Sequence, residues 1–208
     1  MSDADVDETT PLTGKRHAWR VIDLVVAAVL GVAVGLIFFG WNAIGSFWGQ
    51  AMNAVTPGLG GIAGGVWFLG GPLGALVIRK PGAAVLVESI GAAVSALIGN
   101  IWGISTLYSG LAQGVGAELV FLVFAYRSYR LPVAALAGAT AGLGAWALEL
   151  ITSGNLQKGP AFLISYLVTN AISGAILAGM AGWALTRALA DTGVLARFAS
   201  GREATGAR

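Results

Sequence analysis

The 208-residue chain has no cysteine and one histidine, His17. Without cysteine there is no disulfide, iron–sulfur cluster or thiolate zinc site, and the redox compartment is left open. His17 stands in a polar N-terminal stretch, so a histidine metal site or a Ser-His pair has no donor within the apolar segments. Charge is scarce too. Asp, Glu, Lys and Arg make up 11% of the chain, against about 25% in a soluble domain. The nearest approach to a G-x-x-x-x-G-K-(S/T) loop is Gly14-Lys15-Arg16, which lacks the rest, so ATP hydrolysis by that route is excluded. Residues 1–14 are acidic and small, without the basic start of a cleaved signal, and the first apolar run reads as a retained helix. No nucleophile–base pair or metal-ligand set is visible, so neither an enzyme nor a cofactor or metal is expected.

What is there is apolar: 56% of residues are hydrophobic, and 32 glycines sit largely inside the hydrophobic runs, where they let helix backbones approach closely. Crossing the hydrocarbon core takes about 20 apolar residues. Six runs qualify, at 21–41, 57–78, 82–101, 105–126, 132–152 and 161–186, with 42–56 as the longest connection. The second run carries seven glycines between Pro57 and Pro72. It is either kinked and partly unwound, which requires neighbours to satisfy its backbone, or simply close-packed.

Alternate connections split Lys and Arg sharply. One side has Lys15, Arg16, Arg20, Arg79, Lys80, Arg127, Arg130, Arg187, Arg197, Arg202 and Arg208; the other has Lys158 alone. By the positive-inside rule both termini are cytoplasmic. The expected fold class is an all-α integral membrane protein of six transmembrane helices over 21–186, between cytoplasmic tails at 1–20 and 187–208. The net charge of +2 comes mostly from these flanking residues and implies no nucleic acid.

Three runs hold a glutamate, and each should face the bundle interior or a cavity, because a charge at mid-bilayer costs on the order of 3 kcal/mol. Glu149 lies near the outer end of its run, with Trp146 one turn below on the same face. Tyr166 and Asn170 share a face at comparable depth. Asn100, Trp102 and Tyr108 reach the same side, Gln113 lies deeper, and Trp41 and Asn42 end the first run there. A carboxylate, amides and aromatic plates at one depth suit a flat, nitrogen-rich ring, and a cation would gain from Glu149 and the indole faces. The same residues could instead anchor helices at the interface. Glu88 and Glu118 lie nearer the cytoplasm and are assigned first to hydrogen bonds between helices or to subunit contact. Asp23 reads as a solvated flank or a partner contact. Ala27, Gly31 and Gly35 form a small-residue stripe for docking, within the bundle or on another subunit.

Together, Arg79-Lys80-Pro81-Gly82-Ala83-Ala84, Glu88, Gly99-Asn100-Ile101-Trp102-Gly103, Gly110 through Gln113 and Gly116-Ala117-Glu118-Leu119-Val120-Phe121 closely resemble the YkoE family. Its members are substrate-binding S components of energy-coupling-factor (ECF) vitamin importers, linked to thiamin and its hydroxymethylpyrimidine precursor. The resemblance implies a six-helix, S-component-like bundle that captures its ligand near the outer face. It also implies a membrane coupling protein (the T component) and two cytoplasmic ATPases as partners. S components of the wider class meet the coupling protein through an Ala-xxx-Ala pattern on the first helix; here Ala27 and Gly31 stand in it, glycine replacing the second alanine. Related thiamin binders hold the aminopyrimidine with a glutamate and aromatic residues, roles that would fall to Glu149 and Trp146. An S component for another vitamin, and a non-transporting scaffold subunit, stay open as alternatives.

Overall fold

A computed structural model describes residues 18–204; Lys15, Arg16, His17 and Arg208 lie outside them. The first helix, α1 (Val21–Val55), has 35 residues and is about 52 Å long at ~1.5 Å per residue. It runs on through the expected 42–56 connection. Asn42, Ser46 and Asn53 look like loop residues, yet they line one inward stripe, while Ile44, Phe47, Trp48 and Val55 face out. The helix stops at Thr56, which is extended because the following Pro57 disfavours helical geometry.

A turn through Gly58 (φ 91°) leads into a ten-residue 3-10 helix, Leu59–Phe68, and then α2 (Gly70–Ile78). Runs of 3-10 helix beyond three or four residues are uncommon. This one is held by side chains from other elements. Asn53 Oδ1 accepts from the Gly58 and Gly60 N–H groups (3.0 and 2.9 Å). Trp41 Nε1 donates to the Ala63 carbonyl (3.0 Å), Thr169 to that of Gly58 (2.8 Å) and Ser173 to that of Ile62 (2.6 Å). Ser173 also accepts from the Gly65 N–H (2.9 Å). The second run is thus both unwound from α geometry and tightly packed.

The chain continues through α3 (Ala83–Ile98), α4 (Ser105–Val123) and α5 (Leu131–Thr152). A short 3-10 turn (Asn155–Lys158) precedes α6 (Pro160–Ser173), which passes through a π-helical stretch (Gly174–Met180) into α7 (Ala181–Asp191); α8 (Ala199–Ala204) follows. Five of these stretches are long and apolar enough to cross a membrane: Val21–Val55, Leu59–Ile78, Ser105–Val123, Leu131–Thr152 and Pro160–Asp191. The remaining apolar helix, α3, has 16 residues. Leu111, Val115, Leu119 and Leu122 on α4, and Ile164, Val168 and Ile172 on α6 with Ile176 in the π-helical stretch after it, are exposed at helical spacing, an apolar belt solvated by lipid. The chain is a multi-pass membrane protein.

One end of the bundle is basic. There Glu118 of α4 caps α3: its oxygens accept from the Gly82 and Ala84 N–H groups (2.6 and 2.9 Å) and from the Tyr126 hydroxyl (2.8 Å). Arg79 packs over the Tyr129 ring and pairs with Glu203 (2.6 Å), and burial pushes the Tyr129 phenol up to about 12. Leu195 and Phe198 are buried, and Ser200 donates to the Val77 carbonyl (3.1 Å), so residues beyond α7 fold back on the bundle.

One expectation needs correction at this end. Asp23 is fully buried and closes a capping box with Arg20, 2.7 Å away. It is neither a solvated flank nor free for a partner. The stripe of Ala27, Gly31 and Gly35 is also buried, against α3. A Cβ on Gly35 would lie 2.6 Å from Val94 Cβ and 2.8 Å from the Gly91 carbonyl. The small residues let α1 and α3 touch, which is docking within the bundle, the first of the two alternatives for the stripe.

Candidate functional site

Every long element contributes to one cavity of about 380 Å³ at the end opposite the basic one. Binding sites for small organic molecules run roughly 300–1,000 Å³, so this space suits one compact ligand. Along α1, Phe38, Asn42 and Asn53 face it; α3 supplies Ser95; and α4 supplies Thr106, Ser109, Gly110 and Gln113, one helical stripe. Phe162, Tyr166 and Asn170 recur every four residues on α6. Trp102, Thr152, Ser153 and Lys158, all exposed, line its mouth.

The polar groups are fixed by one another. Tyr166 donates its hydroxyl to Glu149 Oε2 (2.7 Å), a short charge-assisted bond that orients the carboxylate. Asn42 donates to Ser95 (3.0 Å) and accepts from Trp67 Nε1 (2.9 Å). That holds the Trp67 indole edge-on between Trp41 and Trp102, with ring centres 6.4 and 5.7 Å apart. The Gln113 amide, oriented so that its nitrogen rather than its oxygen meets the surrounding acceptors, donates to Glu88 Oε1 (3.2 Å) and to the Trp67 carbonyl (3.0 Å). Lys158 bonds Asn155 (2.7 Å) and sits 4.6 Å over the Phe162 ring, which stacks on Tyr166. One group is left over. Asn170 is 1% exposed, and its Nδ2, which lies toward the Tyr166 hydroxyl, completes no hydrogen bond of good geometry among the described residues. A buried donor without an acceptor costs about 1–3 kcal/mol, a cost this site carries at Asn170. Gly64 makes the room: a Cβ there would collide with Asn170 Oδ1 and the Phe68 ring.

Of the residues expected at the site, Glu149, Tyr166, Asn170, Trp102, Gln113 and Asn42 line the cavity. Trp146, Asn100, Tyr108 and Trp41 do not. Trp146 donates to the Leu163 carbonyl (3.1 Å), tying α5 to α6. Asn100 turns into its own loop, accepting from the N–H groups of Trp102 and Gly103 (2.9 and 2.8 Å) and from Thr106 (3.1 Å). Tyr108 is 58% exposed, and Trp41 braces the 3-10 helix. Trp67, Asn53, Phe162 and Lys158 were missed. Lys158 had a signal, being the one cation on its side. Trp67 had none, because three residues per turn instead of 3.6 changes which side chains face inward.

A solved S component of an ECF transporter superposes on this chain with a TM-score of 0.77. It is 33% identical, over 91% of this chain and 94% of that one. Fold and cavity thus define the class: an S component of an ECF transporter. A family model described as the permease component of an ABC-type cobalt transport system matches residues 22–144. A Bacillus subtilis (strain 168) protein described as an HMP/thiamine permease, YkoE, is 36% identical over 190 residues, 89% of this chain and 92% of that protein. The chain belongs to the YkoE family of ECF S components.

Proposed function

We propose that this chain captures thiamin or its hydroxymethylpyrimidine precursor in the cavity from outside the cell and delivers it inward. A membrane coupling protein and two cytoplasmic ATPases supply the energy. The observation that carries the reading is the set of committed groups around Asn170: a buried donor with no full hydrogen bond, one helical turn from the Tyr166 that orients Glu149, in a space walled by Trp67 and Trp102. Ring faces stack on indole, a ring nitrogen accepts from Asn170, and an amino or cationic group meets Glu149. The donors are amides, hydroxyls, one carboxylate and one amine, which fit an organic ring rather than a cobalt ion, whose sites take imidazole, thiolate or several carboxylates.

Topology follows the charge. With α3 counted as a crossing, six helices traverse the bilayer, and Lys and Arg collect at the basic end, with Lys158 alone at the cavity end. The positive-inside rule then puts both termini in the cytoplasm of a prokaryotic cell and opens the cavity outward. Release inward requires the protein to reorient, driven by contacts that differ between its two states on the partner side. The test is equilibrium binding of labelled thiamin and hydroxymethylpyrimidine to wild type and to the Glu149→Gln, Asn170→Leu double variant. Loss of binding in the variant supports the pocket, and unchanged affinity refutes it.

A further inference from the structure

Glu88 is fully buried in α3 and touches no part of the cavity. Its two oxygens are used differently. Oε2 accepts from the Gly71 N–H (2.6 Å), where the 3-10 helix gives way to α2. Oε1 accepts from Gln113 Nε2 (3.2 Å), whose other acceptor is the Trp67 carbonyl, 3.0 Å away. Both hydrogens of that amide nitrogen therefore have acceptors: Glu88 Oε1 and the Trp67 carbonyl, which can only accept. The one polar atom of Gln113 left for a ligand is its carbonyl oxygen. Gln113 is seven residues below Thr106 on the α4 stripe, about 10 Å deeper at ~1.5 Å per residue, and so forms the cavity floor.

We propose that Glu88 is a positioning residue for ligand recognition: by holding the Gln113 amide nitrogen, it makes the cavity floor an acceptor that reads a hydrogen-bond donor on the ligand. The inference rests on the cavity being the ligand site and deepens that reading. With Asn170 offering a donor and Glu149 and Gln113 offering acceptors, the cavity matches an amino-pyrimidine and mismatches its oxo form. There the exocyclic group turns from donor to acceptor, and the adjacent ring nitrogen from acceptor to donor. A site built on committed polar groups rejects such an inversion far more strongly than a change of one methylene.

The experiment compares binding of hydroxymethylpyrimidine and its oxo analogue to wild type, Glu88→Gln and Gln113→Met. Truncating Glu88 to alanine would strand the Gly71 N–H, whereas the isosteric E88Q keeps an acceptor there and sets a donor against Gln113. Wild type is expected to prefer the amino form by at least about tenfold. E88Q and Q113M should each bring that ratio close to one, with the thermal midpoint of E88Q showing a folded protein. A purely structural Glu88 would weaken both ligands alike and leave the ratio intact. That outcome, like a lost preference in Q113M alone or equal binding of both forms by wild type, overturns the inference and leaves the substrate site standing. Failure of wild type to bind either pyrimidine overturns the site reading, and this inference with it.

Discussion

Glu118 and Glu149 should separate stability from binding when each is changed to glutamine. Glu118 accepts three hydrogen bonds at the basic end, one from the N–H of Gly82, the residue before α3, and one from the first-turn N–H of Ala84, which Gly82 has no side chain to satisfy. A carboxylate there also faces the positive end of the helix dipole. Glutamine keeps one acceptor oxygen, but its nitrogen sets a donor against an N–H. Hydrogen bonds to charged groups are worth about 1.5–3 kcal/mol. Discounted for the partly exposed site, Glu118→Gln should cost about 2 kcal/mol, a fall in Tm of roughly 4–8 °C for a chain of this size. Ligand affinity should hold, since the cavity lies at the other end. Among the described residues, the Glu149 side chain caps no helix and bonds only the Tyr166 hydroxyl. Glu149→Gln should leave Tm within about 2 °C and raise Kd roughly 10- to 100-fold. Thermal unfolding and ligand titration of the two variants in detergent give all four numbers. A stability loss for Glu149→Gln as large as that for Glu118→Gln, with affinity unchanged, would refute the division of roles.

The α1–α3 packing predicts that Gly35→Leu lowers Tm of the isolated protein by several degrees, through overpacking of about 1–3 kcal/mol against Val94 and Gly91. If the stripe faced a partner instead, Tm would hold and only assembly would fail. Trp67→Phe leaves Asn42 Oδ1 without its donor and should weaken ligand binding about tenfold while shrinking the fluorescence response; an unchanged response would remove Trp67 from the cavity wall. Glu203→Ala breaks an ion pair whose carboxylate is 69% exposed. It should change stability by less than about 1 kcal/mol, read as a nearly constant Tm, and a large drop would mean that α8 clamps the bundle.

The membrane class, the apolar runs and the departure of the second run from α geometry are all readable from composition and glycine placement. Half the cavity is readable as well, because Tyr166 and Asn170 share an α-helical face and Glu149 has to turn inward. What is not readable depends on rotation and reach. α1 continues to Val55 because its amides Asn42 and Asn53 bond α3 and the turn into the 3-10 helix, and a polar stripe facing protein looks like a loop when its partner is unseen. Trp146 and Trp41 have the composition of ligand plates, yet each spends its indole N–H on a neighbouring backbone carbonyl. The small-residue stripe of α1 fits an internal helix or an external one equally well, and only the position of α3 decides.

The most direct measurement is tryptophan fluorescence of the purified protein, titrated in parallel with thiamin, hydroxymethylpyrimidine and riboflavin and corrected for inner-filter absorption. Trp67 and Trp102 line the cavity, so the account predicts saturable quenching by a pyrimidine ligand and none by riboflavin beyond the correction. A folded protein that responds to neither pyrimidine would contradict it.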